Sequence, residues 1–271
     1  MPIHFRTDTY IEGISATDIF TLNSALGATI EEQVVATLNQ MRSVWDPDGA
    51  YVLYRFVRQP QTFPDVILCR SITPPKDELL GIELKGWYLL SKEAEPSFRY
   101  AVTPQACADA DLLVCVPWSL QNILSGHPTV FAPYIKPARY AAELRNHYWQ
   151  HARGTEGDTK IAAPTGPIAP YPNKSQQISD TPARDGGGNF GRIARTKIMD
   201  AYLAQTLQQP LCGVPAKAWL EFFKLFTESI DSAEVLRKIS TLRRRWAAAE
   251  TKEPCPAKTY LAILDAIEKS L

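Results

Sequence analysis

The chain has 271 residues, 45% of them hydrophobic and 10% aromatic, which is room for one large domain or a core with an elaborated second lobe and too apolar for an intrinsically disordered protein. Lysine plus arginine equals aspartate plus glutamate at 29 each; a net charge of zero counts against a non-specific nucleic-acid binder but not against a site-specific one that gathers its basic residues in a cleft. Five cysteines, at 69, 107, 115, 212 and 255, form neither a CxxC pair nor a zinc spacing with histidine, and no signal-peptide pattern or membrane-length apolar run is present, so the expectation is a cytoplasmic protein with reduced thiols and no membrane association.

Residues 29–45 predict an amphipathic helix with Ile30, Val34, Leu38, Met41 and Trp45 at helical spacing, stopped by Asp46-Pro47-Asp48-Gly49. Residues 51–57 alternate as a strand. Asp65, after Pro64, opens the apolar run Val66-Ile67-Leu68-Cys69. A second apolar run over 79–90 carries Glu83 and Lys85, and both runs read as short buried strands. Further strands are predicted at 97–102 and 112–116, then a turn-rich stretch over 118–133 with Asn122, Ser125, Gly126 and His127. A helix is predicted over 134–153, its apolar stripe including Ala138, Ala141 or Ala142, and Tyr148, with Arg139, Arg145, His147, His151 and Arg153 between them. His147 and His151 share a helical face, but no third metal ligand accompanies them.

Residues 154–191 change character: proline, glycine and small polar residues dominate, as in a linker between lobes or in a loop that wraps a ligand and orders on binding. Asn173, Lys174, Gln176, Gln177 and Arg184 are side-chain types that read base edges and phosphates. The glycines at 186–188 lack the Gly-Lys-Ser/Thr ending of a phosphate-binding loop and lead into a helix start near Arg192, where Arg192 and Arg195 are candidate phosphate contacts. Helices follow over 216–229, with Trp219, Phe222, Phe223 and Phe226; over 232–250, with Val235, Ile239, Leu242 and Trp246 and a neighbouring row of arginines; and over 257–271.

The chemistry concentrates at Asp65, Glu83 and Lys85. In a strand, residues i and i+2 share a face, so Glu83 and Lys85 point the same way. Charges set among Ile82, Leu84, Trp87 and Tyr88 are costly unless paired or bound to metal. Two carboxylates beside one lysine suit metal-dependent attack on a phosphodiester: the carboxylates hold a hard cation such as Mg²⁺, and the lysine places the attacking water or offsets developing charge. The bland alternative is a weak Glu-Lys pair on a solvated strand face. Glu78 is a rival carboxylate, but Asp77-Glu78 follows Pro74-Pro75-Lys76 and reads as an exposed turn.

Helix, strand, Asp-bearing strand, Glu-x-Lys strand and later core strand, over roughly residues 29–117, resembles the core of the PD-(D/E)xK nucleases, in particular type II restriction endonucleases. Residues 81–100, 139–149 and 187–195 are also similar to stretches of such enzymes. The resemblance implies an α/β fold, a mixed central sheet flanked by helices with a mainly helical C-terminal half. It divides the chain into a nuclease core (1–153), a possible DNA-binding loop (154–191) and a helical region for recognition or dimerisation (192–271). It also implies Mg²⁺ held by Asp65, Glu83 and the backbone carbonyl of Leu84, with Lys85 acting on the water and Glu31 or Glu32 in support. Cleavage of double-stranded DNA to 5′-phosphate ends, a homodimer, and a cognate DNA methyltransferase that protects the host complete the expectation. A repair or structure-selective nuclease of the same superfamily, and a non-enzymatic DNA-binding or scaffold protein, remain the alternatives.

Overall fold

A computed structural model describes residues 1–15, 18–59, 61–71, 77–154, 158–224 and 232–249. The fold is mixed α/β. Six strands form the main sheet: β1 (Arg55–Arg58), β2 (Val66–Cys69), β3 (Glu78–Tyr88), β4 (Leu112–Leu120), β5 (Pro128–Val130) and β6 (Tyr134–Pro137). Their order is β1-β2-β3-β4-β5, with β6 also on β4. The first three strands pair antiparallel, β3 and β4 pair parallel, and β5 and β6 share one edge of β4. β4 reads Leu-Leu-Val-Cys-Val-Pro-Trp-Ser-Leu and is buried almost throughout, as a central strand covered on both faces should be. Pro117, which has no N–H to give, falls between the stretch paired with β6 and the stretch paired with β5.

Helix α1 (Leu22–Gln40) lies against β3 and β1, with Ile30 and Val34 essentially inaccessible. It starts earlier than the predicted residue 29, because Asn23 and Gly27 blur the periodicity of its first turns. It also breaks at Met41 before the short α2 (Arg42–Trp45), where the indole of Trp45 donates to the Leu38 carbonyl at 2.8 Å and packs edge-on against Phe56.

Three predicted elements need correction. The strand over 51–57 is only β1; residues 51–54 form a turn, because the Asp46 carboxylate takes the Tyr51 N–H and Arg42 takes the carbonyls of Tyr51 and Tyr54. The strand at 97–102 does not form. Its backbone groups go instead to scattered partners, Tyr100 N–H to the Gly191 carbonyl and the carbonyls of Tyr100 and Val102 to Arg145, leaving one bridge, Val102 to Ser179. The helix over 134–153 begins as strand β6; Pro137 disfavours helix in the residue before it, so α3 spans Ala138–His147 and loosens into a wide turn at Tyr148–Ala152. Its buried face is Ala138, Ala141, Ala142 and Arg145, with Tyr148 half-buried.

Residues 158–191 are irregular apart from the strand pair β7 (Ile161–Ala162) and β8 (Thr181–Pro182). Beyond them, the helix start near Arg192 is only a 3₁₀ turn, Ile193–Thr196. Helix α4 (Asp200–Thr206), the small hairpin β9 (Pro210–Leu211) and β10 (Val214–Pro215), α5 (Ala216–Phe223) and α6 (Ser232–Ala249) follow. Trp219, Phe222, Phe223, Val235 and Ile239 belong to the same hydrophobic cluster as the sheet, so this C-terminal part packs on the common core. Phe226, the side chains of Leu242 and Trp246, Cys255 and the helix predicted over 257–271 lie outside the described residues. Cys69, Cys107 and Cys115 are buried and Cys212 is exposed, none of them in a disulfide among the described residues. Among the described residues, no helix is long and apolar enough to cross a membrane.

Candidate active site

The register of β2 on β3 assembles the site. Val66 pairs with Ile82, so one further step sets Asp65 across from Glu83. Asp65 Oδ2 accepts hydrogen bonds from the backbone N–H of Leu84 and from Lys85 Nζ, each at 3.0 Å. Lys85 Nζ also lies 3.3 Å from Glu83 Oε1. Glu83 and Lys85 share a face through the two-residue strand repeat, while Leu84 between them points into the core. Helix α1 adds Glu31, whose Oε1 faces the Gly86 N–H at 3.4 Å and whose Oε2 lies 3.8 Å from Arg58 on β1. Glu32 is exposed and stands apart from this cluster.

Close approach is required. A side chain at position 81 would put its Cβ 2.6 Å from Asp111 Oδ1 and 2.6 Å from Pro64 Cγ, so glycine lets the Pro64-Asp65 corner settle against β3. Asp111 in turn is buried and accepts the Gly81 and Ala108 N–H groups at 2.7 and 2.8 Å. Asp77 lies elsewhere, bound to Tyr54 and Arg70, and Glu78 is a half-buried residue at the outer end of β3.

The electrostatics follow from burial. Glu83 is 8% exposed. Desolvation, reinforced by the negative charge of Asp65 and only partly offset by Lys85, pushes its carboxyl up to about 8, well above the usual carboxylate range. Burial by itself would depress Lys85, but the charges of Glu83 and Asp65 and the hydrogen bond to Asp65 outweigh it and hold the ammonium well above the usual lysine range. Burial also raises Glu31, with Lys85 opposing the shift. Lys85 is therefore a fixed cation here and a donor, not a base.

Asp65 and Glu83 open onto a cleft of about 270 Å³. Gln61, Thr62 and Phe63 form one rim; Asn173, Lys174, Gln176 and Ile178 of the long polar stretch form the other. Three of the predicted ligand-reading residues thus line the same cleft as the acidic pair. The others do not line this cleft. Gln177 and Arg184 are exposed, Arg192 is ion-paired with Glu93 and Glu95, and Arg195 is bound to Glu95 at 2.9 Å and to Asn189.

Arg58, Gln61, Thr62 and the buried pair Arg145–Asp180 were not anticipated. Arg145 had a readable signal, since it lies seven, four and three residues after Ala138, Ala141 and Ala142 and so on their stripe. Arg58 and the rim residues carry none. The His147 and His151 rings sit 5.1 Å apart, and among the described residues no group of three or more His, Cys, Asp or Glu side chains stands together to hold a metal. The donor set at the cleft is two carboxylate side chains, an oxygen-only set of the kind Mg²⁺ takes when substrate phosphate and water complete its shell. No family model, curated protein or solved structure matches the chain.

Proposed function

We propose that this chain is a Mg²⁺-dependent nuclease that cleaves double-stranded DNA at a specific sequence, as type II restriction endonucleases of the PD-(D/E)xK superfamily do. The observation that carries this reading is the convergence of Asp65, Glu83 and Lys85 within hydrogen-bonding distance, with Asp65 and Glu83 lining a cleft and Glu83 buried. The antiparallel β1-β2-β3 unit, the parallel strand β4 and α1 laid across β3 are compatible with that superfamily's core.

Asp65 and Glu83, with the Leu84 carbonyl, would hold the metal ion. When bound, such an ion supplies Lewis-acid polarisation of the phosphate and lowers the pKa of a coordinated water. Glu83 would serve as a ligand in its ionised form. Lys85, protonated and hydrogen-bonded to Asp65, orients the attacking water and offsets the charge that grows on the phosphate oxygens. Glu31 supports Lys85 from the helix side. In-line attack leaves a 5′-phosphate and a 3′-hydroxyl. Two symmetric cuts at one site require two such clefts, so the proposal includes a homodimer.

One observation favours a second reading. Lys85 already satisfies both carboxylates, which is also how a purely structural cluster in a DNA-binding or scaffold protein would look. Metal separates the two. Long duplex DNA incubated with the chain and Mg²⁺ should be cut at discrete positions, with identical 5′-phosphate ends on sequencing. Mn²⁺ should substitute, and Ca²⁺ should support binding without turnover. Undiminished cutting in EDTA overturns the metal mechanism. No cutting, together with no metal binding that depends on Asp65, supports the structural cluster. Cutting set by DNA shape and not by sequence assigns the chain to repair or structure-selective nucleases.

A further inference from the structure

The far rim of the cleft is a strap, residues 171–180, fastened at both ends. At its start the Tyr171 hydroxyl donates to the buried Asp111 at 3.2 Å, the carboxylate that also holds the Gly81 N–H of β3. At its end Thr103 N–H donates to the Ile178 carbonyl at 2.7 Å and Asp180 N–H to the Ala101 carbonyl at 2.8 Å. The Asp180 carboxylate then turns inward to Arg145. That arginine is 1% exposed, and all five of its N–H bonds find acceptors. Nε and one N–H of Nη2 go to Asn146 Oδ1, Nη1 goes to the Tyr100 and Val102 carbonyls, and the other Nη2 N–H reaches Asp180 Oδ2 at 2.5 Å. Asn146 donates to the same Asp180 oxygen at 2.9 Å, and the Phe190 ring lies 4.8 Å from the guanidinium. Between the fastenings, Asn173 and Gln176 close a tight turn on each other, and Lys174 between them lines the same cleft as Asp65 and Glu83.

We infer that Arg145 and Asp180 are positioning residues for substrate: they hold the strap as a preformed second wall, so that DNA entering the cleft meets Asn173, Lys174 and Gln176 already in place. The inference rests on the nuclease reading for its substrate, and on geometry alone for the fastening. A wall ordered before binding spares the complex the cost of ordering it. Loosening the strap should therefore raise KM and leave kcat nearly unchanged, since Asp65, Glu83 and Lys85 hang on the sheet.

Two variants test this without removing the buried cation. Tyr171→Phe keeps the ring and cuts the first fastening; Asp180→Asn keeps the side-chain shape and weakens the second. Each should speed amide hydrogen exchange across 173–180 while the β2 and β3 amides exchange as in the wild type. Each should raise KM for cognate duplex DNA by roughly tenfold for every one or two residues' worth of lost order, with kcat within about twofold. Asp180→Glu, which restores the charge, should recover part of the KM. Unchanged exchange in the strap overturns the fastening, and faster exchange with an unchanged KM overturns the positioning role. If the wild-type chain cuts no DNA at all, the nuclease reading fails, while the exchange comparison still decides whether Arg145 and Asp180 hold the strap.

Discussion

On the sheet side of the cleft the charged groups are fixed by backbone pairing: Asp65, Glu83 and Lys85 stand where the β2–β3 register puts them. On the strap side, residues 171–180 have a single isolated bridge, Val102 to Ser179, and are held by a few backbone contacts and by side chains, above all Arg145, Asp180 and Tyr171. A register is a repeated constraint, hard to change at one residue. A side-chain fastening is a single constraint that one substitution releases. The first suits chemistry, where a misplacement of an ångström is costly, and the second suits a surface that meets a variable ligand.

The largest effect should come from the strap's buried cation. Arg145→Ala removes one partner of a buried pair and strands Asp180, and should cost about 3–5 kcal/mol in urea unfolding. A loss under about 1 kcal/mol would mean that the pair contributes little to holding the fold. Next come the sheet-side charges. Asp65→Ala, Glu83→Ala and Lys85→Ala should each slow DNA cleavage by at least ~10²-fold while the fold survives, because each removes charge stabilisation specific to the transition state. Two of the three retaining near-normal rates would disprove the assignment. Gly81→Ala brings a methyl against Asp111 and Pro64 and should destabilise by about 1–3 kcal/mol, measured as a lower urea midpoint at constant slope.

The pH response sharpens the sheet side further. Folding raises Glu83 from an ordinary 4.5 to about 8, so the folded state holds this proton more tightly. Its contribution to stability is complete below about pH 4.5 and is lost as pH rises through about 8. Lys85 is raised from 10.5, so its own contribution stays constant across that window. In EDTA the unfolding free energy should decline from about pH 5 to pH 9, and Glu83→Gln should flatten the slope. An unchanged slope would show that the proton is not on Glu83. The smallest effect belongs to the strap's tip. Lys174→Ala should weaken DNA binding across sequences and reduce the salt dependence by about one counterion, read from affinity against salt concentration.

The sheet side was legible in the sequence because its signals are local. Continuous apolar runs near turn residues gave β2 and β3, and the two-residue repeat of a strand put Glu83 and Lys85 on one face. Glu31 or Glu32 came only from the family resemblance, and it is Glu31 that stands at the cluster. The strap was legible only as a polar, proline-rich stretch that includes Asn173, Lys174 and Gln176. Nothing in it pairs residue 180 with residue 145, because a salt bridge across thirty-five positions leaves no periodicity. The same limit explains residues 97–102: their alternation is that of a strand, but tertiary partners consumed the backbone groups a strand would have paired. Arg192 and Arg195 show the converse. Their residue type suits phosphate, yet Glu93 and Glu95, about a hundred positions earlier, already hold them.

Asp65, Glu83 and Lys85 all arrive with one pair of neighbouring strands, so the hairpin carries its own counter-ion. Two carboxylates brought together alone would oppose closure of the sheet until a cation came from solution. With Lys85 between them, the strands can close first. A divalent ion held as proposed would then be cargo for a finished fold, stabilising it by mass action. The chain should accordingly unfold cooperatively in chelator, with a midpoint that rises with the logarithm of free Mg²⁺.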